Sequence, residues 1–202
     1  MTPPLDGAVE LLERALAYTR GALASVDETS LAGPTPCRGW TLGVLLDHMD
    51  DALLAFTEAA EGWVPVGPTQ PGGTRVATLQ DRACALLGAW THAAPGVVRV
   101  GDRPVHASLL VATAALEVTV HGWDVAQATG LRTPLPQRLA RDLLPVALET
   151  VTPADRGSRF APARPATDAA YDARLLAFLG RDLTGPPVPN PRNPGTGPQR
   201  AP

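Results

Sequence analysis

The chain has 202 residues, 45% of them hydrophobic, which is enough for one domain with a sizeable core. Its 17 basic and 20 acidic residues give a formal net charge of −3, which argues against a nucleic-acid footprint or a polybasic membrane patch. Residues 109–120 form the longest apolar run, too short to span a membrane and interrupted by Glu117, and residues 1–6 lack the features of a signal peptide.

These exclusions point to a cytoplasmic protein, in which Cys37 and Cys84 form no metal-spaced pair and no disulfide is expected. Lys and Ile are absent while Ala, Gly, Pro and Arg are heavily used, a signature of high-GC coding.

Residues 5–25 read as a first helix, with Leu12, Ala15, Leu16, Thr19 and Leu23 on one stripe and Glu10, Glu13, Arg14 and Arg20 opposite. A loop rich in Gly, Pro and Thr follows over residues 27–40. Thr41 fits an N-cap for a second helix reaching about residue 61, with Leu42, Leu45, Met49, Ala52, Leu53 and Phe56 facing inward. His48 lies at the edge of that stripe. Residues 62–74 read as a Pro/Gly linker. A third helix over residues 77–93 directs Leu79, Ala83, Leu86, Leu87 and Trp90 inward, with His92 at its end as a helix-dipole partner. Residues 97–106 read as a hairpin around Gly101-Asp102, after which His106 stays at the surface. The fourth helix, residues 108–129, is closed by Gly130, and a fifth over residues 136–151 buries Leu139, Leu143, Leu144 and Leu148. A loop carrying Arg156, Arg159 and Phe160 leads to a last short helix at residues 171–179. The expected fold is all-α: a four-helix bundle with one or two accessory helices and a short β-hairpin over residues 1–184. Residues 185–202, dominated by Pro, Gly and Asn, are expected to form a disordered tail.

The fourth helix carries the chemistry. At 100° per residue, Glu117, His121 and Asp124 fall within an arc of roughly 60° on an otherwise apolar helix. Burying such groups without partners costs several kcal/mol, roughly, so something must meet them. A carboxylate and an imidazole one turn apart can share one divalent ion, although such a pair is more often a surface contact. His48 alone reads as an ordinary boundary histidine. With Glu117 and His121 it completes a carboxylate and two imidazoles, the ligand count of a catalytic zinc with one position open. Asp124 would then orient an imidazole or handle protons. Asp47, Asp50 and Asp51 flank His48; one of them could substitute, but most are expected to be solvated. Cys37 reads as a small buried hydrophobe ahead of a helix, and Trp40 and Trp123 as packing residues.

Three segments together resemble the DinB-like, mycothiol-dependent maleylpyruvate isomerase N-terminal family. Thr35-Pro36-Cys37-Arg38-Gly39-Trp40-Thr41 with Leu46-Asp47-His48 is similar to the family's "PCPGW…L..H" signature. The stretch from Glu117 to Ala126, containing His121-Gly122-Trp123-Asp124, is similar to its "E…HGWDLA" signature. Arg174 to Asp182 matches the "LLAFLGRD" close of the short metal-binding branch. The resemblance covers roughly residues 5–183. It implies a DinB-type bundle holding one divalent metal, usually zinc, at His48, Glu117 and His121, with Asp124 at an acidic position of the site. It also implies a low-molecular-weight thiol such as mycothiol, bound as thiolate for S-transfer or thiol-assisted isomerisation. Arg38 stands where the family has Pro, a departure at the pocket mouth that bears on substrate choice.

The leading expectation is therefore a metal-dependent, thiol transferase-like enzyme acting on a small electrophile, with Zn2+ as metal and mycothiol as co-substrate. A metal-dependent hydrolase, lyase or cyclase is the second reading, and a non-catalytic ligand-binding or metal-binding bundle the third. The partner expected is a small molecule, without nucleic acid or membrane, and a homodimer is open.

Overall fold

The computed structural model describes residues 4–64, 75–92, 96–157, 159–166 and 170–183. Six α-helices carry the architecture: α1 (Leu5–Leu23), α2 (Leu42–Glu58), α3 (Arg75–His92), α4 (Ala107–Thr129), α5 (Gln137–Thr150) and α6 (Tyr171–Phe178). The tail expected over residues 185–202 lies outside the described residues.

Local chemistry sets the helix ends. The Thr41 hydroxyl accepts from the Val44 N–H and caps α2, as its sequence position predicts. Gly130 takes a left-handed conformation with φ of 73°, letting its N–H reach the carbonyls of Ala126 and Gln127 and close α4.

Side-chain pairings give the helix directions. Thr19 on α1 donates to the Val118 carbonyl on α4, and Ser25 meets Thr129, so α1 and α4 run parallel. Arg82 pairs with Asp50, and the Trp90 Nε1–H donates to the Phe56 carbonyl, so α2 and α3 run parallel too. His48 on α2 meets Glu117 on α4 while Cys37, ahead of α2, meets Asp124, which sets the two pairs antiparallel. Two parallel neighbours in sequence need a long connection, and the segment between α2 and α3 supplies it. α5 packs on α4, and α6 packs on α5.

The expected hairpin is present as β2 (Val97–Val100) and β3 (Arg103–His106), turning through Gly101 at φ of 60°. The start of the expected linker is instead a strand, β1 (Trp63–Val64), which pairs parallel to β2 and makes a three-stranded sheet. Residues 65–74 lie outside the described residues. Two other expectations need correction. Leu148 is 58% exposed, because the buried stripe of α5 runs through Leu139, Leu143, Leu144 and Ala147. α4, at 23 residues, is long and apolar enough by length and composition to cross a membrane, unlike the shorter run expected; 72% of that window is buried in the fold. It is the central helix of the bundle.

α1 and α4 approach closely because Gly122 has no side chain. A Cβ there would lie 2.9 Å from the Thr19 Cβ, with the Thr19 hydroxyl closer still. Gly122→Ala is therefore expected to lower stability by about 1–3 kcal/mol in urea unfolding. Thr19→Ala in the same chain should recover part of that loss; no recovery would mean the contact is not the cause.

Candidate metal centre

The site lies where α2, α4 and the 31–41 loop meet. The Thr35 N–H donates to the Trp40 carbonyl at 3.2 Å, and Gly39 adopts a positive φ of 82°, folding residues 35–40 into a tight turn. That turn sets Cys37 and Trp40 against the polar face of α4.

The three expected ligands converge. His48 Nε2 is 2.8 Å and His121 Nε2 is 3.1 Å from the same oxygen, Glu117 Oε1. Ligands on a tetrahedral ion with bonds of about 2.0 Å sit roughly 3.3 Å apart, so these donors already hold nearly the spacing of a coordination shell. The imidazole rings of His48 and His121 meet edge-on at 5.1 Å. The Trp40 ring packs on both, 4.9 Å from His48 and 6.4 Å from His121. It is a packing residue, as expected, but what it packs against is the site itself.

Asp124 also lies in this cluster. Its Oδ2 is 3.0 Å from His121 Nδ1, so Nδ1 is committed to Asp124 and Nε2 is the nitrogen turned toward Glu117. Asp124 is fully buried, and Arg181 answers its charge through two contacts, Nη2 to Oδ2 at 2.7 Å and Nε to Oδ1 at 3.2 Å. Arg181 follows α6 and also donates to the Leu179 carbonyl, so the C-terminal helix delivers this cation into the bundle.

The electrostatics follow from these contacts. Burial pushes the Glu117 carboxyl up, but the His121 charge and hydrogen bonds from both histidines outweigh it and hold it well below the usual carboxylate range. Burial disfavours the His121 imidazolium, yet Glu117 and Asp124 on its two sides raise its proton affinity well above the ordinary value. Asp124 is likewise held low against burial, chiefly by Arg181.

Cys37 is the main correction to the site reading. It is half-buried in a polar cluster and not an inert hydrophobe. Its Sγ donates to Asp124 Oδ2 at 3.1 Å and lies 3.3 Å from Arg181 Nη2. Burial pushes the thiol up and keeps it protonated. Cys37, His121 and Asp124 form a second convergent triad, as do His48, Glu117 and His121. The guanidinium of Arg181 lies inside the Cys37–His121–Asp124 group, where it opposes a cation, whereas it acts on Glu117 of the other group through its charge and not through a hydrogen bond. The His48–Glu117–His121 group is therefore the better metal cradle. Sequence spacing had no means of finding Arg181, which is 57 residues from its partner. Of the flanking aspartates, most of which were expected to be solvated, Asp51 is exposed and Asp47 half-buried, whereas Asp50 is buried and ion-paired with Arg82.

Residues 12–126 match the family model of the mycothiol maleylpyruvate isomerase N-terminal domain. An uncharacterized protein of Mycobacterium tuberculosis strain H37Rv is 32% identical over 169 residues, covering 80% of this chain and 90% of the relative. A protein of strain CDC 1551 matches with the same figures. The crystal structure of the mycothiol-dependent maleylpyruvate isomerase superposes with a TM-score of 0.54 at 21% identity, covering 69% of this chain and 68% of the other, and so shares the fold. With the family model spanning more than half of the sequence, the chain belongs to the mycothiol maleylpyruvate isomerase N-terminal domain family.

Proposed function

We propose that the protein is a metal-dependent enzyme that activates a low-molecular-weight thiol, of the mycothiol type, for S-transfer to a small electrophile. The observation that supports this most is the convergence of His48 Nε2, Glu117 Oε1 and His121 Nε2 on one point, two imidazoles and a carboxylate within 4.8 Å of one another. This donor set fits a divalent ion of the zinc type and leaves a position free. An ion held there would favour the thiolate form of a bound thiol and so its nucleophilicity.

The remaining work belongs to the chain's own residues. His48, with a side chain 37% exposed, leaves the outer edge of the triad open to solvent, the side from which a thiol enters and its proton departs. Trp40 walls that edge with an aromatic ring packed against both imidazoles. Of the two roles expected for Asp124, its burial and its pairing with Arg181 favour orienting His121 over accepting a proton. The thiolate sulfur forms a bond to the electrophilic carbon, and the leaving group or the newly formed anion takes up the proton that the thiol released. The family's mycothiol-related name agrees with this chemistry, and the site geometry agrees with a metal.

Elemental analysis of untagged protein, followed by turnover of a chromogenic electrophile with and without thiol, tests the proposal. About one equivalent of a divalent metal and a rate that saturates with thiol are expected. Turnover that needs the metal but not the thiol would move the assignment to a hydrolase, lyase or cyclase. Metal-free protein after reconstitution would overturn the metal-dependent reading and turn the assignment to ligand binding or metal-free catalysis.

A further inference from the structure

A cavity of about 490 Å³ opens between α1 and α3 and reaches Glu117. It falls within the range of pockets that hold small organic ligands. The packing of the bundle accounts for it. α1 sits tightly on α4 through the Thr19–Gly122 approach, and α3 is tied to α2 by the Asp50 and Trp90 contacts, so the α1–α3 side is the loose one. Ala17, Ala52 and Ala83 line it and stop short of its centre. Phe56 and Leu87 remain only half-buried because they face this space and not a packed neighbour.

The lining has a definite chemistry. Leu16 on α1, Leu53 and Phe56 on α2, Leu79 and Leu87 on α3 and Val118 on α4 make the walls apolar. From Met49 to Phe56 the walls extend along α2 for about 10 Å of helix rise. Glu117 belongs both to the lining and to the candidate metal centre, so one end of the cavity is polar and lies against the proposed reacting position. Apart from Glu117, whose charge is answered by its two histidines and the proposed ion, the charged lining residues are Glu13 and Arg20, which balance, so the walls carry no net positive charge to hold an anion.

We propose that this cleft binds the substrate: an elongated, uncharged and mostly apolar molecule whose single polar, electrophilic group is directed to the Glu117 end. The chemical identity of the electrophile rests on the thiol-transfer reading above, whereas occupancy of the cleft by an apolar molecule does not. Burial of an apolar chain along the walls supplies the binding, and the length of the cleft holds the polar end beside the His48–Glu117–His121 group.

Titration of the full chain with the uncharged fluorophore N-phenyl-1-naphthylamine tests this, with competition by 1-octanol and by hexanedioate. One probe equivalent, displaced by octanol and not by the dicarboxylate, is the expected result. Ala83→Trp fills the cleft from α3, and Ala17→Trp fills it from an exposed position on α1 that tolerates a larger side chain. Either substitution should weaken probe binding about tenfold or more while metal content and melting temperature stay at wild-type values. Absence of probe binding, equal displacement by hexanedioate, or wild-type binding in both folded Trp variants would each overturn the proposal. The titration needs neither metal nor thiol. Probe binding without thiol turnover would therefore defeat only the proposed reaction, and turnover of small polar electrophiles without probe binding would defeat only the cleft.

Discussion

His121→Ala is expected to purify without the divalent ion that the proposed function assigns to the wild-type protein. His121 is central to the site: its Nε2 meets Glu117, its Nδ1 is held by Asp124, and its ring abuts both His48 and Trp40. A structural zinc site gains roughly 10–16 kcal/mol from four ligands, so each ligand accounts for about 3 kcal/mol, or about a hundredfold in affinity. The loss should exceed that here, because removing the imidazole also leaves Glu117 and Asp124 without the group between them. His48→Ala should lose the ion as well, and with less effect on folding, since that side chain lies at the solvent edge. Cys37→Ser discriminates between the two convergent triads. It should keep about one equivalent if the ion sits on His48, Glu117 and His121, and lose it if Cys37 is a ligand. Elemental analysis of the three variants, with thermal melts to confirm folding, decides the matter; stoichiometric metal in His121→Ala would sink the assignment.

Much of this site could be read in the sequence because it depends on local periodicity. Glu117, His121 and Asp124 share a face by helix geometry alone, and the structure brings all three within hydrogen-bond distance of one another in series. His48 followed from the same reasoning, as a polar residue at the edge of an apolar stripe. The four bundle helices and the hairpin were legible for the same reason: strong periodicity bounded by Thr41, Gly101 and Gly130. What stayed hidden depends on contacts distant in sequence. Nothing in the neighbourhood of Cys37 reveals that a turn 84 residues upstream of His121 delivers its thiol to the α4 cluster. β1 is only two residues long, and its pairing with β2 exists only once α3 has crossed the bundle. The inward stripes of α2 and α3 were right as stripes, but part of each faces a cavity, which periodicity does not distinguish from a packed core.

Arg181 gives the second large expected effect. Arg181→Ala should lower stability by about 3 kcal/mol, the lower end of the range for breaking a buried ion pair, because the His121 Nδ1–H still donates to Asp124 and offsets part of its charge. In a chain of this size that is a fall of roughly 10 °C in melting temperature. The sign of the pH dependence follows from Asp124, whose carboxyl is held below its ordinary range against burial, chiefly by Arg181. A depressed pKa contributes stability that is fully present above the ordinary carboxylate value, near about 4, and is lost progressively as the pH falls below it toward the depressed one. The gap between wild type and Arg181→Ala should therefore be wide near neutrality and close on acidification; a gap independent of pH would mean that the guanidinium acts through packing alone. The double variant Asp124→Asn with Arg181→Met leaves no buried charge alone, and most of the stability should return. Metal affinity should not return with it. Asparagine no longer holds the His121 Nδ1–H as a carboxylate does, and loss of such an orienting partner costs about 10–100-fold in affinity. Recovery of folding without recovery of the metal would separate the two tasks of this pair. Recovery of both would show that Arg181 and Asp124 only pin α6 to the bundle, and that His121 needs no carboxylate to take its position.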